Sequence, residues 1–150
     1  MTSGAKGLVV YKNNILLYLR DNKPGIPYPN MWDMPGGGRE EGESFEETAR
    51  REIKEEFGVR PINIKYIGSE YYSGREAWRF ICFLDQEEYE KIKLGDEGKK
   101  YKFFTLDEIS NLNLIQPLKN FINNNREILK SIIENGAEIE PEKFFLANIP

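Results

Sequence analysis

The sequence has no histidine and a single cysteine, Cys82. Without histidine, the usual neutral-pH proton shuttle and the commonest transition-metal ligand are gone. One cysteine excludes an internal disulfide, and with it the small disulfide-stapled secreted fold. Long apolar runs are missing too. Stretches such as Ile15-Leu16-Leu17 and Phe80-Ile81-Cys82-Phe83-Leu84 fall far short of the ~20 residues that a membrane-spanning helix needs. The opening residues, Met1-Thr2-Ser3-Gly4-Ala5-Lys6-Gly7, lack the charged start and apolar stretch of a secretory signal. A reduced, cytoplasmic setting with no membrane partner is therefore expected. Basic charge is also short: the net charge of −4 speaks against a general nucleic-acid binder. It leaves a phosphate-bearing small molecule open, because a bound divalent cation reverses the local field.

What is present suits one domain over residues 1–150, with 39% hydrophobic and 31% charged residues. Segments 7–11 and 15–20 flank Lys12-Asn13-Asn14 and read as a β-hairpin. Residues 21–31 form a loop punctuated by Pro24, Gly25, Pro27 and Pro29, too long for a mere connector. Residues 32–35 read as a short strand running into a glycine loop, Gly36-Gly37-Gly38. Strands are expected over 63–73, 77–85 and 99–104, the second apolar enough to be central. A short helix is expected over 106–111 and one long helix over 115–135, covering the sheet. The tail from 137 to 150 has no clear period. Strands and helices mix without regular βαβ alternation, so the class is α+β, with helices packed on a mixed sheet.

The best-specified element spans 44–57. Ser44 and Glu47 make a capping box, and Gly58 supplies the stop. Phe45, Ala49, Ile53 and Phe57 fall at i, i+4 steps and form the apolar stripe. Glu52, Glu55 and Glu56 fall within an arc of roughly 100°, with Glu56 beside that stripe. Glu52 and Glu56 are a like-charge i, i+4 pair, costing an isolated helix about 0.2–0.5 kcal/mol. A helix selected only for solubility would turn these groups outward and intersperse lysine. Clustered carboxylates at a core edge make sense around a hard divalent cation, whose preferred ligands are oxygens. The glycines before the helix let backbone approach a metal or phosphate closely. Arg51 is spaced to pair with Glu47 and Glu55.

These residues resemble the Nudix family, whose box reads G-x5-E-x7-R-E-U-x-E-E-x-G-U, with U a bulky aliphatic residue. Every fixed position is matched, by Gly37, Glu43, Arg51, Glu52, Ile53, Glu55, Glu56, Gly58 and Val59. Chance would give this on the order of 10⁻⁷ times per starting point at typical residue frequencies. The resemblance implies an α/β/α sandwich with a mixed sheet between helices, hydrolysing a nucleoside diphosphate linked to another group. It implies Mg²⁺ or Mn²⁺ held by Glu52, Glu55 and Glu56, with the Gly36 carbonyl as a further ligand. Arg51 would orient the glutamates, and Glu43 would hold the loop–helix junction or reach the metal's water shell. Family members often recruit another carboxylate, as base or ligand, from a loop after the central strands. Here that is Glu97, with Asp96 as second choice, although an acidic loop tip is also an ordinary solvated turn.

On the substrate side, Gly37 and Gly38 would approach the phosphates, and Arg20, at a strand end before the long loop, would contact phosphate or else cap a sheet edge. Tyr28 and Trp32, and after them Tyr71, Tyr72 and Trp78, are candidates to stack a base, although strand aromatics commonly serve packing. Cys82 reads as packing. The ADP-ribose, NADH, coenzyme A and dinucleoside-polyphosphate marks outside the box are missing. The approach Trp32–Gly37 looks most like the MutT-type group, which hydrolyses (deoxy)nucleoside triphosphates, often oxidised ones such as 8-oxo-dGTP, to monophosphate and pyrophosphate. That group often presents an asparagine before the final helix to read the purine, a place that Asn113 or Gln116 would fill. ADP-ribose, a nucleotide sugar and a non-catalytic nucleotide-sensing role are the alternatives. The expected partner is a small nucleotide-type molecule, the chain acting as monomer or homodimer.

Overall fold

In the computed structural model, which describes residues 3–96 and 98–144, β1 (Gly4–Tyr11) and β2 (Asn14–Leu19) form the expected hairpin. Lys12 and Asn13, both at positive φ, close its two-residue turn between the paired Tyr11 and Asn14. Beyond the turn the two strands splay, and a third segment enters the gap. Its first half, β3 (Trp32–Asp33), pairs with the end of β2; its second half, β4 (Gly36–Gly38), pairs with the start of β1. The glycine run is thus a strand stitched to Gly4–Lys6, not the loop expected from its composition. This also lengthens β1, which starts at Gly4 rather than at residue 7.

On the other edge of β1, β6 (Arg75–Phe83) runs parallel, and β5 (Ile64–Tyr72) follows antiparallel; β7 (Lys100–Phe104) takes the free edge of β2. The main path through this seven-stranded mixed sheet is β3-β2-β1-β6-β5, so β6 is interior, as its apolar run implied.

Alternation along the strands divides the core in two. Val9, Leu16, Tyr18, Phe80 and Cys82 face α1 (Phe45–Phe57), whose Ala49, Ile53 and Phe57 are fully buried. Leu8, Val10, Leu17 and Ile81 face α3 (Leu106–Ile109), α4 (Gln116–Asn124) and α5 (Arg126–Asn135). Helix, sheet and helices therefore stack as an α/β/α sandwich within the α+β class. A short α2 (Gln86–Glu90), capped by Asp85, was not foreseen.

The long helix expected over 115–135 is two. Asn125 leaves helical geometry, and its buried side-chain amide donates to the Phe121 carbonyl at 2.9 Å. Asparagine competes for backbone hydrogen bonds in this way, and it follows Asn123 and Asn124 here.

Candidate active site

Helix α1 is fixed at both ends as its sequence dictates. The Ser44–Glu47 capping box is formed, and Gly58 closes the helix in the left-handed region at φ 80°. The cap is worth about 1 kcal/mol, and burial of Ile53 and Phe57 adds about 1.5–3 kcal/mol each. That packing sets the helix rotation and so sets where its glutamates point. Glu56 is 8% exposed, tucked at the core edge, and its Oε1 accepts from the Gly36 amide at 3.0 Å. Glu52 lies against β4 so closely that a Cβ on Gly37 would stand 2.5–2.8 Å from its carboxyl atoms. Any side chain at position 37 would have to push that carboxylate aside, whereas the backbone angle there makes no demand for glycine.

Arg51 gathers the cluster. Its Nε donates to Glu43 Oε2 at 2.5 Å, its Nη2 to the Gly38 carbonyl at 2.9 Å, and its Nη1 to Glu52 at 3.0 Å and Glu55 at 3.3 Å. The pairing with Glu47 expected from spacing does not form, because Glu47 is spent in the capping box. Glu43 is held to about pKa 2, chiefly by the Arg51 hydrogen bond and then by the Glu40 amide, while Arg51 is pushed up in turn. Glu43 also accepts from the Thr48 hydroxyl at 2.8 Å, so it clamps the junction between β4 and α1.

Glu52, Glu55, Glu56 and Asp96 line a cavity of about 190 Å³. Among the described residues no three acidic groups form a closed ligand set; Glu55, whose side chain is 57% exposed, leans on Arg51. The donor set is nonetheless all carboxylate, with Glu52 and Glu56 fixed in place. It fits a hard divalent cation that keeps part of its water shell. Glu97, expected to add a ligand or base, lies outside the described residues; its neighbour Asp96 is on the cavity wall.

Across β4 lies a second cavity of about 350 Å³, which Gly37 and Gly38 also border. Arg20 and Tyr28, both candidates for substrate contact, line it: Arg20 Nε donates to the Pro27 carbonyl at 2.9 Å, and Tyr28 is 42% exposed at positive φ. Trp32 does not. Its ring packs edge-on against Phe104, 5.0 Å between centroids, with the Lys100 ammonium 5.7 Å from its centroid. Nor do Asn113 and Gln116; the α4 end of this cavity is Ile115, Pro117 and Leu118. Gln116 instead bonds Asn120 at 2.7 Å, and Asn113 accepts the Trp32 amide through its backbone.

Apart from Arg20, sequence reasoning missed the charged residues at this cavity. Lys6 Nζ donates to the buried Asp33 at 2.5 Å, and Arg79 pairs with the buried Glu70. Lys6 and Arg79 are register partners on one face of the sheet, but nothing local marks them or their carboxylates. Tyr18, between the two cavities, has its hydroxyl pushed far above the ordinary range, first by burial and then by the charges on Asp33 and Glu56. Cys82 is wholly buried, and its thiol is pushed up for the same first reason, as packing requires.

The family model described as NUDIX domain matches residues 2–130. The chain belongs to the Nudix family. Among its Nudix relatives, an ADP-ribose pyrophosphatase of Methanocaldococcus jannaschii is 34% identical over 110 residues, covering 71% of this chain and 63% of that protein. An 8-oxo-dGTP diphosphatase of Buchnera aphidicola is 22% identical over 123 residues, 82% of this chain and 92% of that one. The crystal structure of the MutT protein from Methanosarcina mazei Go1 superposes with a TM-score of 0.68 at 20% identity, over 86% of this chain and 95% of that one. That likeness bears on the fold. The chain spans less than two thirds of several curated relatives, 63%, 36% and 46% of three of them. No helix among the described residues is long and apolar enough to cross a membrane.

Proposed function

We propose that this chain is a metal-dependent hydrolase of a nucleoside diphosphate linked to another group, acting first on (deoxy)nucleoside triphosphates, oxidised ones such as 8-oxo-dGTP included, to give monophosphate and pyrophosphate. The observation that carries the reading is the adjacency of two unlike cavities across the glycine strand β4. Among the described residues one is lined by Glu52, Glu55, Glu56 and Asp96 alone, the other by cations interspersed with Asp33 and Glu76, by aromatics and by apolar groups. A diphosphate lying across Gly37 and Gly38 would set its reacting phosphorus at the carboxylates and its nucleoside in the larger space.

Glu52, Glu55 and Glu56, with the Gly36 carbonyl, would hold Mg²⁺ or Mn²⁺. When bound, the ion offsets charge on the transferring phosphoryl group and lowers the pKa of the attacking water. The chain's own residues do the rest. Arg51 and Glu43 fix the helix and glycine strand against each other, so the carboxylates are positioned before substrate arrives. Arg20 binds from the rim. Asp96 and Glu97 are the candidates to accept the proton of the attacking water. The unit proposed is a single domain, monomeric or homodimeric, working in a reduced cytoplasm without nucleic-acid or membrane partners.

The M. jannaschii relative named ADP-ribose pyrophosphatase supports ADP-ribose, or a nucleotide sugar, as the second substrate reading. The test is phosphate release from nucleoside triphosphates, oxidised triphosphates, ADP-ribose and nucleotide sugars, with Mg²⁺ or Mn²⁺ and coupling pyrophosphatase and phosphatase. Pyrophosphate from triphosphates is expected. Turnover confined to ADP-ribose or sugars would replace the substrate, and saturable binding without turnover would replace the hydrolase by a nucleotide sensor.

A further inference from the structure

One residue bordering the larger cavity, Arg79, belongs to a buried ion pair that the proposed hydrolysis does not use. Strand β5 carries a bulge: its register against β6 shifts between Tyr66 and Gly68, so Gly68 stands opposite Arg79 and Glu70 opposite Ala77. The extra residue flips the strand's later side chains to the other face, which puts Glu70 on the same side as Arg79. Arg79 Nη1 donates to Glu70 Oε1, and the two residues are 4% and 9% exposed. The guanidinium carbon also sits 4.5 Å from the Phe121 ring centroid, so the group is held from two sides. Its Nε is buried and meets no acceptor among the described residues. Arg79 nevertheless borders the cavity, which takes apolar wall from Met34, Ile115 and Leu118.

We infer that Arg79 is a specificity-determining residue whose guanidinium reads a carbonyl oxygen on the ring of a bound nucleotide, so that oxo-bearing bases are accepted in preference to amino-bearing ones. Arginine offers donors and no acceptor. A ring carbonyl satisfies such a donor in a dry pocket, whereas an exocyclic amino group sets donor against donor and leaves both unmet. The fork also matches the paired O6 and N7 acceptors of a 6-oxopurine. A phosphate suits this floor poorly, because Glu70 and Asp33 already offset Arg79 and Lys6. The inference rests on the nucleotide reading above, though not on turnover.

The test is calorimetric binding of IMP and AMP, near-isosteres with a 6-oxo and a 6-amino group, in metal-free buffer. Wild type is compared with the Arg79→Gln/Glu70→Gln double variant, which removes both charges together and strands neither, and with Arg79→Lys, which keeps the pair but loses the fork. Wild type is expected to prefer IMP by about 5- to 100-fold. The double variant, its folding checked by thermal melting, should bring the ratio near one, with Arg79→Lys between. Equal affinities in wild type, an unchanged ratio in both variants, or no binding of either nucleotide would overturn the inference. Discrimination in binding without turnover on any substrate would sink the hydrolase proposal alone; turnover without discrimination would sink this one alone.

Discussion

The two sides of β4 handle charge in opposite ways. On the helix side one cation, Arg51, is shared among Glu40, Glu43, Glu52 and Glu55, and Glu56 and Asp96 add further negative charge. On the cavity side Lys6 and Arg79 each meet a buried carboxylate, Asp33 and Glu70, with Arg20 a second, more distant cation on Asp33 at 3.9 Å. An unbalanced acidic cluster against a core is costly unless a cation joins it. A balanced pair at a pocket floor presents oriented donors without net charge. The first arrangement suits a metal and the chemistry of phosphate; the second suits recognition of a neutral ring. A substitution should therefore change rate on one side and preference on the other.

The largest effect is expected from Glu56→Gln. The amide still accepts from Gly36 N–H and has nearly the same shape, so the melting temperature should move little. Loss of the charge should lower kcat by about 10²–10⁴-fold, at 1.36 kcal/mol per decade of lost charge stabilisation. The same variant should leave the ratio of affinities for IMP and AMP intact. A kcat within threefold of wild type would break the division between the two sides.

That division also explains what could be read from the chain. Arg51 finds its acceptors within thirteen residues of itself, all on one helix or in the segment just before it, so helical spacing and the box expose most of the cluster. Even there, spacing assigned Glu47 to Arg51, because it cannot weigh a capping box against an ion pair. The cavity side is assembled across long separations: Lys6 to Asp33, and β6 to the residues before α4. The placement of Glu70 depends on a bulge, which no alternation pattern announces. Most strands and the main helices were legible from hydrophobic period, and their layering from the family resemblance. The splayed hairpin that admits β3 and β4 was not, since glycine composition alone reads as loop.

A smaller effect tests whether β4 truly divides the sites. Gly37→Ala would drive a methyl into the Glu52 carboxyl, displacing it by a fraction of an ångström or more. Misplacement on that scale costs about 10- to 100-fold in kcat/KM. The loss should appear with every substrate alike, because the disturbance lies on the helix side. A substrate-selective loss, read from kcat/KM across the nucleotide panel, would mean that Gly37 mainly contacts the nucleoside.

The smallest effect concerns acid stability and isolates Glu43 from the reaction. Its carboxyl titrates at about 2 in the folded chain against 4.5 for the free group, the Arg51 hydrogen bond being the main cause. A carboxylate depressed on folding contributes stability that is full above pH 4.5 and is lost as pH falls toward 2, since the unfolded chain takes up the proton first. Glu43→Gln cannot titrate, so it lacks this contribution at every pH. The wild-type melting temperature should exceed that of the variant by a constant few degrees above pH 5, and the gap should close between pH 4.5 and 2. Were the gap to stay constant down to pH 2, the Arg51–Glu43 contact would owe its strength to shape rather than charge. The junction of β4 and α1 would then be held as the cavity floor is, by oriented donors, and the contrast between the two sides would narrow to the glutamates that face the metal.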